Sequence, residues 1–131
     1  MKKFYLALCA VLAISACASN TPKTEEQTSL RDAYKDVFHI GTALSKSQIM
    51  GWDLAAQKVS NKEFSAITAE NSMKWEEIHP KEGQFNFTVA DKLVELAEQN
   101  DQFVIGHTLL WHQQTPNWVF EDKNGNPASK E

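Results

Sequence analysis

Apolar residues along the chain recur with two periods that alternate. The helical period, with apolar side chains three and four positions apart, occurs in 30–37, 54–59 and 88–100. The period of a strand, or a short β-tolerant run, occurs in 38–44, 65–69 and 103–106. Strands that alternate with helices are typical of parallel βα units, so the pattern predicts an α/β fold with a parallel sheet.

Capping residues set the predicted ends of the helices. Thr88 is expected to cap the longest helix and Asn100 to end it. The predicted apolar face of this helix consists of Ala90, Leu93, Val94 and Ala97. Ser60 and Glu63 have the spacing of a capping box and predict a separate turn before the second strand. The Pro- and Gly-containing stretch 79–86 is predicted to be a loop.

Unusual polar and aromatic side chains follow two of the predicted strands. Those after the second strand are Glu70, Asn71 and Lys74, and those after the third are His107, Trp111 and Gln114. In a parallel sheet the carboxyl ends of the strands meet at one edge, where ligands bind, so both groups are expected to face one cleft. An indole face combined with convergent donors and acceptors suits a ligand with apolar faces and hydroxyl rims, such as a sugar ring.

Composition and charge narrow the class of partner. The 131 residues are 42% hydrophobic and 10% aromatic, which is ordinary for a globular chain and allows one domain at most. Thirteen basic residues stand against 17 acidic ones, a formal net charge of -4, so no nucleic-acid partner is expected.

The first residues have the pattern of an export signal. Lys2 and Lys3 precede an apolar stretch, 4–14, that is too short to span a bilayer, and small residues follow it. The run Ile14, Ser15, Ala16 and Cys17 resembles a bacterial lipobox, which implies a signal peptide over 1–16, cleavage before Cys17 and acylation of its thiol. An ordinary secretory peptide cut near Ala16 or Ala18 is the alternative.

Cleavage before Cys17 would leave a mature protein with a tether and a folded part. Residues 17–29 are polar and predict a flexible tether, and 30–131 form the folded part. The mature protein would keep 11 basic and 17 acidic residues, a net charge of -6. The predicted location is the periplasm or cell surface, with membrane contact only through the lipid anchor, or the medium if the protein is secreted.

No metal or cofactor is predicted. Cys9 would be discarded with the signal peptide and Cys17 lipidated, which leaves no thiol for a disulfide or a metal. A zinc site formed by His107 and His112 is a weaker hypothesis, because their spacing is five residues rather than the four of the helical zinc motif.

The motifs after the strands resemble those of glycoside hydrolase family 10, the endo-1,4-beta-xylanases. The resemblance runs from about Phe38 to Pro127, and the second and third motifs together are strongly specific. The matching residues of the three strand motifs are Phe38, Ile40, Gly41 and Ala43; Thr68, Glu70, Asn71, Met73 and Lys74; and His107, Leu109, Trp111, His112, Gln114, Pro116 and Trp118.

The resemblance implies a (β/α)₈ TIM barrel of which about the first three βα units are present. Such a barrel needs about 250 residues. The chain is therefore expected to be the N-terminal part of a catalytic barrel, with 129–131 as the first turn of the third helix.

The resemblance also assigns roles to the matching side chains. Xylose hydroxyls would be hydrogen-bonded by Glu70, Asn71 and Lys74. His107 would bond a hydroxyl of the sugar beside the cleaved bond, and the ring of Trp111 would lie beneath that sugar. Gln114 would donate a hydrogen bond to the adjacent sugar. His112 would support the site from behind, and Trp118 is expected to be a packing residue. The family often holds the peptide bond that matches His107–Thr108 in the cis form. A helix cap with a solvated lysine and a core histidine are the structural alternatives.

The chemistry implied by the family is retaining hydrolysis by two glutamates about 5 Å apart. In the family these follow the fourth and seventh strands, and neither motif occurs in this sequence. No catalytic residue is therefore expected among the 131 residues, and this chain alone is predicted to be inactive.

The leading hypothesis is a monomeric endo-1,4-beta-xylanase that hydrolyses xylan or xylo-oligosaccharides. One alternative is a lipoprotein that only binds glycans. Another is a family relative that cleaves a different β-1,4-glucan such as cellulose.

Overall fold

The computed structural model describes residues 28–129. The predicted signal peptide, Cys17 and the tether up to Gln27 lie outside the described residues, as do Lys130 and Glu131. The strands are β1 (Gly41–Leu44), β2 (Ala66–Ala69) and β3 (Phe103–Ile105). The helices are α1 (Leu30–Tyr34), α2 (Lys46–Ile49), α3 (Leu54–Glu63), α4 (Trp75–Ile78) and α5 (Thr88–Gln99), and Asn117–Val119 form a 3₁₀ turn.

The three strands form a parallel sheet in the order β1-β2-β3. Gly41 pairs with Ala66, which pairs with Phe103, so the strands start in register. Helices connect each strand to the next, as expected for consecutive units of a (β/α)₈ barrel. The predicted parallel α/β fold is confirmed.

Helices α2 and α5 cover one face of the sheet. Leu93 of α5 is fully buried, with Ile67 of β2 and Ile49 of α2 in the same cluster, and Val104 of β3 packs against it. On the other face Phe103 and Ile105 remain exposed among the described residues. In a closed barrel that second face lines the interior.

The helix ends differ from the predicted ones at three places. Helix α1 ends at Tyr34, and residues 35–37, which were predicted to continue it, form a turn. Ser60 lies buried inside α3 instead of capping a new turn, because its carbonyl accepts the backbone N–H of Phe64 as part of the same helix. Thr88 is the first residue of α5, and Phe87 occupies the N-cap. Asn100 ends α5 as predicted.

The apolar face of α5 is rotated relative to the prediction. Val89 and Leu96 are buried, whereas Val94 is 39% exposed. The buried face extends to Val89 and Leu96 instead of Val94 because the helix packs on α2 as well as on the sheet.

Two helices of four residues were not predicted. Helix α2 has the spacing of a capping box, and the backbone N–H of Ser45 donates to Oε1 of Gln48 at 2.8 Å. Helix α4 follows Lys74 directly. One turn is too short to show a helical period, so only the capping signal could have revealed α2.

The start of the folded part is Ser29, which the predicted tether included. Ser29 is buried and caps α1, because its Oγ accepts the backbone N–H of Asp32 at 3.2 Å. Helix α1 is bound to the segments that precede β2 and β3. The Leu30 N–H donates to the Glu63 carboxylate at 2.9 Å, and Arg31 donates to the carbonyls of Asn100 (2.9 Å) and Asp101 (2.8 Å).

The pairing of Glu63 with α1 makes stability depend on pH. The hydrogen bond from the Leu30 backbone, aided by Lys62, lowers the pKa of Glu63. A lowered folded-state pKa stabilises the fold above the unfolded value of about 4.3, and this contribution is lost as the pH falls through the folded pKa. We expect Glu63→Gln to lower the unfolding temperature at neutral pH and to have a smaller effect below that window.

Thermal unfolding of the wild type and of Glu63→Gln, followed by circular dichroism from neutral to acidic pH, measures the difference between their unfolding temperatures. Glu98→Gln, on the exposed side of α5, is the control. A Glu63→Gln deficit that stays constant over the whole pH range would contradict the role assigned to the carboxylate.

Candidate functional site

Two loops meet at the carboxyl edge of the sheet, one after β2 and one after β3. Thr68 pairs with Ile105 at the end of the ladder, and Glu70 and His107 each follow by two residues. The Glu70 N–H donates to the carbonyl of Leu44 at 2.9 Å, which holds Glu70 at the end of β2. The predicted sugar-binding groups therefore start from neighbouring points of one edge.

Lys74 lies at the centre of this edge. It is only 8% exposed, its Nζ donates to Oδ1 of Asn71 at 2.9 Å, and Nζ stands 4.6 Å from the ring centroid of Trp111. A buried ammonium needs such partners, because desolvation of an unpaired charge is costly. Of its three N–H donors, the bond to Asn71 uses one. The structural alternative, in which Lys74 is a solvated lysine, is therefore wrong.

The two histidines of the third motif flank Trp111. The His107 ring is 6.4 Å from the Trp111 ring and edge-on to it, and the His112 ring is 5.2 Å away, also edge-on. Both histidines are exposed, so His107 is not a core histidine. The peptide bond His107–Thr108 is cis, as the resemblance implied.

Gln114 joins the two loops through its backbone. Its carbonyl accepts the N–H of Glu76 at 3.0 Å, and its φ of 51° turns the chain at this point. The side chain is half-buried. Gln114 is thus fixed relative to α4, which begins one residue after Lys74.

An aromatic cluster, defined as Trp75, His79, Phe85 and Trp118, supports both loops from behind. The His79 ring stacks on Phe85 at 4.0 Å and lies 4.6 Å from Trp118, which is edge-on to Trp75 at 5.9 Å. Trp118 Nε1 donates to the His79 carbonyl at 3.2 Å, so Trp118 packs as predicted. Trp75 and His79 were not predicted as supporting residues, although their spacing of four places them on one side of a helical turn.

The side chains of Met73, Phe87 and Leu109 extend this cluster around an open apolar cavity of about 270 Å³. The cavity lies between the same two loops, and Gly106 and Thr108 also line it. Its lining has few polar groups, so it is unsuited to a charged ligand.

Within residues 28–129 no three His, Cys, Asp or Glu side chains are grouped as a metal site would require. No helix in that range is both long and apolar enough to cross a bilayer.

Away from the carboxyl edge of the sheet, hydrogen bonds from the backbones of Asn126 and Asn124 lower the pKa of Asp122 in the turn 122–126.

The contacts thus join five of the predicted residues, Asn71, Lys74, His107, Trp111 and His112. Glu70 and Gln114 lie on the same two loops, and within the described residues the contacts do not tie Glu70 to the Lys74–Trp111 pair. An ammonium and an amide above an aromatic floor can hydrogen-bond hydroxyl groups while a ring packs on the indole.

Parallel βα units with a polar and aromatic site at the carboxyl ends of the strands define a protein of the parallel α/β class, which includes the (β/α)₈ barrels. Residues 29–131 match Glycosyl hydrolase family 10. The chain belongs to this family, and the predicted resemblance is confirmed.

Named relatives agree with this membership. Endo-1,4-beta-xylanase A of Caldicellulosiruptor saccharolyticus is 46% identical over 103 residues, which cover 79% of this chain and 29% of the relative. A crystal structure of an endo-1,4-beta-xylanase from Caldicellulosiruptor owensensis is 42% identical with a TM-score of 0.70, over 77% of this chain and 30% of that one. A mutant solved in complex with xylotriose is 40% identical with a TM-score of 0.71, over 78% and 30%. The chain therefore spans less than a third of the length of these relatives.

Proposed function

We propose that the protein is an endo-1,4-beta-xylanase and that the carboxyl edge of β2 and β3 binds xylose units of its substrate. The observation that carries the proposal is the buried Lys74 ammonium, held by Asn71 above the ring of Trp111. The names of the relatives and the xylotriose in a neighbouring structure support the substrate class.

Each side chain has a role that its chemistry permits. Lys74 and Asn71 donate to hydroxyl groups, and the Glu70 carboxylate accepts from them. Trp111 offers its face to a sugar ring, with His107 beside it, and Gln114 reaches the next sugar. His112 supports Trp111 from its edge.

The bond-breaking step needs two carboxyl groups about 5 Å apart, which we place in later strands of the barrel. The residues proposed here hold sugars beside the bond that is cleaved. Binding energy from such contacts can be used to distort the reacting ring toward its transition state. The proposed role of this part of the protein is therefore to bind the substrate beside the bond that is cleaved.

Hydrolysis by the protein encoded by the complete gene tests the proposal. We expect reducing ends to be released from xylan faster than from cellulose, and no turnover by the 131-residue chain alone. A rate on xylan no greater than that on cellulose would refute the xylanase assignment. Binding of xylotriose without any hydrolysis would instead identify a glycan-binding protein.

We also propose that the protein is exported and anchored through acyl chains on Cys17. The lipobox-like run Ile14 to Cys17 after an apolar stretch supports this. More than one acyl chain is needed for stable anchoring, because each buried CH₂ contributes about 0.8 kcal/mol. We expect Cys17→Ala to abolish incorporation of radiolabelled palmitate and Cys9→Ala to leave it unchanged. Label retained by the Cys17→Ala variant would contradict the anchor.

A further inference from the structure

The residues of the proposed sugar site and the first helix lie at opposite edges of the sheet. Lys74 and Trp111 follow the carboxyl ends of β2 and β3. Helix α1 contacts residues that precede the same strands, namely Asn61, Glu63, Asn100 and Asp101. Strands of three and four residues, at a rise of about 3.3 Å each, separate the two edges by about 10–13 Å before the loops are counted.

Several hydrogen bonds fix α1 at the amino edge. The Glu63 carboxylate binds the Leu30 N–H, and the Arg31 guanidinium binds three carbonyls at 2.8 to 3.3 Å. Lys35, just after α1, lines a cavity with Ser65 and Phe103, which stand at the starts of β2 and β3. The point where the chain enters the fold is therefore set by the structure.

The distance from that point to the proposed anchor is short. Eleven residues, 18–28, separate Cys17 from the buried Ser29. Even fully extended, this segment reaches only about 40 Å. Turning the sugar site toward the membrane would require the segment to run the height of the domain, about 30 Å for a small domain, and would use most of that reach.

We infer that the amino edge of the sheet faces the lipid surface and that the sugar site opens away from it. This inference rests on the proposed acylation of Cys17. The amino edge has both charge signs, with Arg31 and Lys35 beside Asp32 and Asp101, so the acyl chains and the short tether set the orientation rather than a basic surface. A polymer too large to enter the layer near the membrane would then still reach the site.

Energy transfer from labelled protein to lipid tests the orientation. Lys35→Cys places a fluorophore at the amino edge and Gln113→Cys places one at the carboxyl edge, and both positions are exposed. The full-length acylated protein, reconstituted in phosphatidylcholine vesicles with an acceptor on the lipid headgroup, is the sample. Acylation blocks Cys17 and processing removes Cys9, so each variant has one reactive thiol among residues 1–131.

We expect transfer efficiency to be at least twofold higher from position 35 than from position 113. Equal efficiencies, or a higher value at 113, would overturn the orientation. Transfer that persists at either position in a non-acylated protein that begins at Ala18 would overturn it as well, because this protein lacks Cys17 and the apolar stretch 4–14 and would then bind lipid through its surface. Xylan hydrolysis by the same vesicle samples reports separately on the proposed enzyme activity.

Discussion

Lys74→Met is expected to lower kcat/KM on xylan about 100-fold, the equivalent of about 2.7 kcal/mol. Hydrogen bonds to a charged group contribute about 1.5–3 kcal/mol each, and the variant removes those proposed between Nζ and the sugar while an apolar side chain still covers Trp111. Steady-state kinetics of the complete protein on xylan, with xylotriose binding by calorimetry, measures the loss.

Two further variants make this result specific. Lys92→Met removes a lysine whose partner is the Glu95 carboxylate, on the exposed side of α5, and should leave kcat/KM unchanged. Asn71→Ala should lower kcat/KM about tenfold, because it leaves the buried ammonium without its amide acceptor. An unchanged kcat/KM for Lys74→Met would remove Lys74 from the site.

Leu93→Ala is expected to lower the free energy of unfolding by about 3 kcal/mol, within the range of about 2–5 for buried leucines. Leu93 has no exposed surface and packs with Ile49 and Ile67, so the truncation leaves a cavity where α5, α2 and β2 meet. Urea unfolding of the complete protein provides the measurement through a shift in the midpoint.

The adjacent residue is the matched control for this substitution. Val94 is 39% exposed, and Val94→Ala should lower the free energy of unfolding by less than about 1 kcal/mol. Equal losses for the two variants would mean that α5 does not present Leu93 to the core, and the packing of α5 on the sheet would then have to be revised.

Local patterns in the sequence were sufficient for much of the fold. The long helix was predicted because its twelve residues show a clear helical period, and the three short strands were predicted because apolar or β-tolerant runs alternate with helical stretches. The helices α2 and α4 were missed because one turn contains too few positions to show a period. Ser60 was placed wrongly because capping-box spacing also occurs inside helices, where the backbone is already paired.

By itself the sequence determined the family, the parallel βα order and the residue types at the carboxyl edge. Those features reside in motifs of neighbouring residues, such as Glu70, Asn71 and Lys74, and local order is enough to read them.

Only the tertiary structure decided which of these residues meet. Burial of Lys74 against Trp111 depends on two loops from different strands, and the bond between Trp118 and the His79 carbonyl joins residues 39 positions apart. A period in the sequence reports that a side chain is buried but not what it is buried against. The partners follow from the strand register and from the packing of α5 on the sheet, which bring distant segments to one edge.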